Sequence, residues 1–157
     1  MQDLIKELRY EEGQLYWICQ DQFNSRNLER PVGCLNSKGY LVVGRLRKQY
    51  YVHMIIFYMH NGYLPEQVDH KDNNPLNNFE WNLRAATVAQ NQWNAKKSVR
   101  NNSGVKGVSW DKRVGRWHVS VCANGKRHFG GHHLTLERAT SVAKELRIKL
   151  HGDFAKG

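Results

Sequence analysis

The residues best suited to chemistry lie between Val68 and Asn94, in the stretch VDHKDNNPLNNFEWNLRAATVAQNQWN. Asp69 offers a hard carboxylate oxygen and Asn91 an amide carbonyl oxygen. Two such oxygens, completed by water and a phosphate oxygen, suit one Mg²⁺ or Mn²⁺ ion. His70 sits beside Asp69 and can take a proton from water near neutral pH. An oxygen-ligated divalent metal next to a histidine base is a minimal kit for hydrolysing a phosphodiester. Each residue alone says little, because lone histidines are more often structural and Asn-rich segments are usually turns.

Those side chains need a compact frame. Asp69-His70 closes a short extended piece, and Lys71 to Asn78 is turn chemistry throughout. Asn82-Leu83-Arg84 reads as a brief second strand. Thr87-Val88-Ala89-Gln90 is a capping box that starts a helix at about Val88, with Asn91 in its first turn or so. Upstream, Gln14 to Cys19 is expected to be a strand, and Asn36 to Gly39 a turn. Tyr40 to Leu46 and Gln49 to Val52 would pair as a hairpin. Val52, Ile55, Ile56 and Met59 fall at helical spacing, predicting a buried helix over 52–60 that Asn61-Gly62 ends. His53 lies on that apolar helix and reads as a packed, hydrogen-bonded histidine rather than a catalytic one.

Several blocks in this region agree in order and spacing with one family. They are Val68-Asp69-His70, Asn73 to Asn78, Asn82-Leu83-Arg84, Ala86-Thr87 and Gln90-Asn91. Together they resemble the HNH motif of phage and intron-encoded homing endonucleases, the ββα-metal nucleases. The likeness extends over residues 30 to 95 and includes His53. It implies that His70 is the general base and that Asp69 and Asn91 hold one divalent metal. It also implies that Asn82 braces the loop and orients His70. Ala85 replaces an aromatic residue common in relatives, and Gln90 a glutamate; both departures imply altered packing rather than lost activity.

The formal charge of +10 is unevenly placed. Residues 1–95 hold ten Lys and Arg against ten Asp and Glu, whereas residues 96–157 hold fourteen against four. Such a lopsided basic segment, carrying Trp110 and Trp117, points to a polyanion partner. The polar run AKKSVRNNSG marks a break, so the expected layout is a nuclease domain over 1–95, a linker over 96–103 and a second domain over 104–157. Cys19, Cys34 and Cys122 are scattered with no Cys-x-x-Cys pair, which argues against disulfides and against structural zinc. No apolar run approaches a membrane span and no secretory signal is evident, so the expected location is the cytoplasm. The resemblance adds a phage-encoded origin and action inside a bacterial host. Nothing points to an obligate protein partner.

In the second domain, Val105 to Trp110, Arg116 to Ala123 and Lys126 to Gly130 read as three strands. Asn124-Gly125 is the strongest hairpin signal among them. A helix follows with Thr135 as N-cap, an apolar stripe from Leu136 to Leu150, and Gly152 as its stop. His132-His133 is expected to be a loop pair without metal-ligand partners. Gly104, Lys106-Gly107-Val108, Trp110, Gly115, Trp117, Gly130, Ala139, Ala143 and Leu150 to Ala155 resemble the plant Apetala/ethylene-response-factor DNA-binding domain. That resemblance implies a three-stranded sheet that enters the DNA major groove. Strand alternation then puts Trp117, Val119 and Val121 toward the helix. Ser109, His118, Ser120 and Cys122 would face outward, with Lys126 and His128, while Arg113 and Arg116 could reach phosphate. Several outward places lack the arginines of the plant domains, so a different sequence preference is expected.

The expected fold class is α+β: a ββα-metal HNH nuclease domain, then a small three-stranded antiparallel sheet with one helix. The expected function is metal-dependent cleavage of duplex DNA by a free-standing homing enzyme. The alternatives are a non-catalytic DNA-binding protein with a degenerate nuclease fold, and an RNA-directed protein.

Overall fold

The structure, a computed structural model, describes residues 2–18, 28–94 and 101–155. Cys19 and most of the expected linker lie outside the described residues. Two compact units are present, Met1–Thr87 and Val88–Gly157. Helices and antiparallel sheets occupy separate stretches, the α+β class expected from the sequence.

The first unit opens with a short helix α1 (Gln2–Ile5) and a hairpin of β1 (Leu8–Glu11) and β2 (Gln14–Trp17). Neither α1 nor β1 was legible in the sequence; both are one turn or one short strand long. A three-stranded sheet follows, ordered β3 (Cys34–Leu35), β4 (Leu41–Arg45) and β5 (Lys48–Tyr51). The helix α2 (Val52–Asn61) begins directly at the end of β5. It stops at Gly62, whose φ of 75° is left-handed and whose N–H bonds to the Tyr58 carbonyl, a conformation that glycine adopts without penalty. Val52, Ile55, Ile56 and Phe57 form the buried face of α2 and pack with Leu4, Leu8, Leu15, Val43, Val68 and Leu83. Each such side chain contributes about 1.5–3 kcal/mol by leaving water. This core fixes the hairpin of β6 (Gln67–His70) and β7 (Leu83–Ala86), because Val68 and Leu83 belong to it.

The second unit contains α3 (Val88–Asn94), β8 (Val108–Asp111), β9 (Arg116–Ala123), β10 (Lys126–His133) and α4 (Leu136–His151). The sheet order is β10-β9-β8, antiparallel throughout. Thr135 caps α4 by accepting from the Arg138 N–H, as the sequence implies, and Gly152 ends it. Val108, Val119, Ala139 and Ala143 make the core, with Trp117, Leu136 and Val142 packed around it. By packing, α3 counts with this unit: Trp93 stacks flat on His151, ring centres 4.5 Å apart.

Two expectations in this unit need correction. Lys126 and His128 do not share the outward face with His118 and Ser120. The Asn124-Gly125 turn pairs Lys126 directly with Ala123 and His128 with Val121, and cross-strand partners point to the same side. Ala123 and Val121 are buried, so the outward places opposite Cys122 and Ser120 belong to Arg127 and Phe129. A one-residue error in register moves every side chain to the other face. Likewise, His132 and His133 stand on β10 rather than in a loop. An irregularity between Phe129 and Gly131 lengthens the strand and sets His132 opposite His118. His132 Nε2 lies 3.5 Å from an Asp111 carboxylate oxygen.

Candidate active site

Asp69 and His70 end β6, and Asn82 immediately precedes β7, so the hairpin presents all three around the loop of residues 71–82. The loop is held by Asn82, which is fully buried. Its Nδ2 donates to Asp72 Oδ1 at 3.0 Å and to the Asn77 carbonyl at 2.7 Å. Its Oδ1 accepts from the Asp72 N–H at 3.1 Å, and its backbone carbonyl accepts from Lys71 N–H. Asn82 therefore stitches three separate points of the loop to the start of β7. Burial raises the Asp72 carboxyl, but hydrogen bonds from the Asn74 N–H and the Asn82 and Asn77 amides outweigh it and hold the group below the ordinary carboxylate range.

His70 is buried, and its Nε2 lies 2.9 Å from Asn78 Oδ1. An amide oxygen only accepts, so Nε2 carries the proton and Nδ1 carries the lone pair. Asn78, buried to 1% exposure, is the positioning residue that the sequence left within an undifferentiated Asn-rich turn. Its Nδ2 has no hydrogen-bond partner among the described residues. Asn78→Ala is expected to slow cleavage about 10²-fold, the scale of a misplaced reacting group, with DNA affinity unchanged. Asn78→Asp keeps the acceptor and should recover most of the rate; a single-turnover assay of both variants decides it.

Behind His70 stands an aromatic wall. The His53 ring meets it edge-on, with centroids 5.0 Å apart, and Tyr40 lies 6.1 Å away. Tyr51 and Tyr40 flank His53 at 5.3 and 5.4 Å. Burial, and secondly the neighbouring His70, push the His53 imidazole down to about 3. A free imidazole titrates near about 6.5, so the unfolded chain takes up this proton first. Stability is complete above that pH and falls as acid is added toward the folded value. Going from about pH 7 to about pH 5 should cost the wild type about 2 kcal/mol more than His53→Phe. Urea unfolding at both pH values measures this; equal losses would remove His53 as the cause.

Asp69 is buried and lies opposite Arg84 in the β6–β7 ladder. Arg84 donates to Asp69 Oδ2 through Nε at 2.8 Å and approaches the same oxygen through Nη2 at 2.7 Å. The cross-strand position of Arg84 was readable once the hairpin register was known. Asn91 stands on α3, half-buried, and belongs by packing to the second unit. Of the four residues expected at the centre, Asp69, His70 and Asn82 thus share one hairpin.

Residues 50–93 match a family model described as HNH endonuclease. Protein 3.8 of Escherichia phage T7 is 38% identical over 115 residues, covering 69% of this chain and 94% of that protein. The chain is a relative of that phage protein and carries an HNH endonuclease domain. An uncharacterized HNH endonuclease of Acanthamoeba polyphaga mimivirus is 32% identical over 126 residues, which is 77% of this chain and 63% of that longer protein. The chain therefore spans less than two thirds of the mimivirus relative. No solved structure matches it significantly. The HNH match encloses His53, Asp69, His70, Asn78, Asn82, Arg84 and Asn91. Among the described residues no helix of this HNH protein is long and apolar enough to cross a membrane.

The expected DNA-binding residues lie in the second unit. Ser109 pairs with His118 across β8 and β9, and Ser120 follows on the same outward face. His118 stacks on Phe129 at 5.2 Å and lies 5.3 Å from His132. Phe129 is 60% exposed, an unusual place for a large apolar ring. Arg116 is exposed at the start of β9, and Arg113, also exposed, is 3.9 Å from Asp111 in the preceding turn.

Proposed function

We propose that this HNH protein hydrolyses phosphodiester bonds in duplex DNA with the help of one Mg²⁺ or Mn²⁺ ion. The observation that carries it is His70, oriented through Nε2 by Asn78 and set beside Asp69 on a loop braced by Asn82. The Nδ1 lone pair takes the proton of the attacking water. As the imidazolium forms, the Nε2–H bond to Asn78 becomes charge-assisted and strengthens. Asp69 and, as the sequence resemblance implies, Asn91 would hold the ion through one carboxylate and one amide oxygen, donors that suit a hard divalent cation. When bound, it would supply charge to polarise the phosphate and stabilise the departing oxygen. Arg84 fixes the orientation of the Asp69 carboxylate.

The second unit is the DNA anchor in this proposal, used in the manner of the Apetala/ethylene-response-factor domain that its sequence resembles. The outward face offers Ser109, His118, Ser120, Arg116, Arg127 and Phe129. Lys126, beside the β9–β10 turn, and Arg113, in the β8–β9 turn, are left to reach backbone phosphate from opposite ends of the sheet, and His128, on the helix side, is left out of the contact face. The enzyme is read as a free-standing homing nuclease, phage-encoded, that prefers certain sites.

Incubating the protein with mixed duplex DNA and Mg²⁺ or Mn²⁺, then sequencing the ends, tests the chemistry. Cleavage at preferred positions that stops in EDTA is expected; undiminished cutting in chelator would remove the metal, and intact DNA would remove the activity. A binding titration at several salt concentrations tests the anchor, since each neutralised phosphate adds about −0.9 to the slope of log affinity against log salt. A flat slope would contradict the basic face.

A further inference from the structure

Phe129 stands on the outward face of the β8–β9–β10 sheet with 60% of its surface in water. The core of this unit, built on Val108 and Val119, lies on the opposite face. The backbone is shaped to keep the ring there. His132 comes three residues after Phe129, so strict alternation would turn it to the helix side. The irregularity between Phe129 and Gly131 adds the residue that returns His132 to the outward face, opposite His118. Both glycines serve this step. A Cβ on Gly130 would come within 2.6 Å of Val119 Cγ1, and Gly131 has a φ of 97°, which other residues rarely adopt.

The result is a ring cluster in the middle of the face. Phe129 stacks on His118 and meets His132 edge-on, with centroids 5.2 and 5.3 Å apart. His132 Nε2 lies 3.5 Å from an Asp111 carboxylate oxygen. Two imidazoles thus set the orientation of Phe129 and leave most of it open. The surroundings are polar and basic. Ser120 is the cross-strand partner of Phe129, and Arg127 precedes it by two residues on the same side. Residues 96–157 carry fourteen Lys and Arg against four Asp and Glu. Asp111, the carboxylate on this face, has a side chain 19% exposed and placed near His132 and Arg113. An exposed apolar ring in such a setting fits an anionic partner that presents small apolar groups. The major groove of DNA presents one, the 5-methyl group of thymine.

We propose that Phe129 is a specificity-determining residue that reads thymine, its ring packed against the 5-methyl group. The inference rests on the reading of this sheet as the DNA anchor. No other DNA base carries an apolar substituent in the major groove, and apolar contact is how a side chain recognises this one. The imidazoles hold the ring before DNA arrives, so little side-chain freedom is lost on contact. Arginine and lysine give affinity without regard to sequence, whereas a methyl contact distinguishes one base from the rest.

The test uses the full-length protein without added metal, so cleavage plays no part in it. A preferred duplex is selected from a random pool, and each of its thymines is replaced in turn by deoxyuridine, which pairs identically and lacks only the methyl group. One replacement should weaken binding about fourfold, the worth of one buried methyl group. Phe129→Ala should bind the thymine and uracil duplexes alike. Phe129→Leu keeps an apolar contact and should still prefer thymine. Both variants alter an exposed side chain, and unfolding near the wild-type temperature verifies their fold. Arg116→Ala and Arg127→Ala report on the anchor itself, and both should weaken binding and flatten its salt dependence. If they do so while every uracil duplex binds as well as its thymine parent, the anchor stands and the reading of thymine by Phe129 falls. Thymine preference that persists in folded Phe129→Ala, or a selection that enriches no site containing thymine, would overturn it equally. If Arg116→Ala and Arg127→Ala keep wild-type affinity and salt slope, the anchor falls and this inference with it.

Discussion

His70→Ala is expected to abolish DNA cleavage while leaving DNA affinity in place. Loss of a general base costs about 10²–10⁴-fold in rate, and no other histidine can substitute from the same place. His53 is the nearest imidazole, but burial keeps it neutral to about pH 3 and encloses it between Tyr40 and Tyr51. The variant also removes a buried ring from that wall, so some stability is lost; a large-to-small change at such a site costs about 2–5 kcal/mol. His70→Asn, which leaves less of a void, separates the two effects. It should unfold closer to the wild type and remain as inactive as the alanine variant. Single-turnover cleavage, a binding titration and urea unfolding are measured side by side. Near-normal turnover in either folded variant would take His70 out of the mechanism.

Asp69→Ala should show the second large effect, on activity and on stability together. The side chains of Arg84 and Asp69 are only 15% and 5% exposed. Deleting one partner of a buried ion pair leaves the other charge uncompensated, at about 3–5 kcal/mol. The double variant Asp69→Ala with Arg84→Leu removes both charges and should regain most of that stability, since an apolar pair of similar volume is often neutral or better. Activity should stay absent, because the carboxylate oxygen proposed to hold the metal is gone. Thermal unfolding and metal-dependent cleavage of the single and double variants check this. A double variant that is stable and cleaves as fast as wild type would show that Asp69 serves the fold alone.

The hairpin of the active site was legible because its signals are local. Asp69-His70, the Asn-rich loop and the Thr87 helix start all lie within a short span, and β6, β7 and α3 appear where those residues place them. The remaining features are non-local or depend on strand register. Asn78 could not be told from its neighbours in the loop until its side chain was seen to meet His70. Alternation alone turns Lys126 and His128 to the wrong face, because the register is set by the pairing of the residues that flank Asn124-Gly125. The bulge after Phe129 then reverses the parity again, and sequence gives no mark of it beyond two glycines. On α4, the apolar stripe suggested a hydrophobic seam throughout, yet its last two buried turns carry Arg147 and His151. Long polar side chains in a buried stripe are rare, and periodicity alone has no means of announcing them.

The placement of α3 has a consequence for how such a protein can be recombined. The helix carries Asn91 of the nuclease motif, yet its Trp93 is seated on His151 and its backbone is held by Lys106. The polar stretch 95–100 looks like a natural joint for exchanging modules. A crossover there would supply the helix with a foreign neighbour and strip Trp93 of its seat, two positions from a proposed metal ligand. Chimeras joined inside that stretch should therefore inherit a disturbed nuclease even though every motif residue is retained. Those joined before Val88 would carry the helix and its support as one inherited piece. In this chain the freedom to exchange the second unit is limited by a single tryptophan.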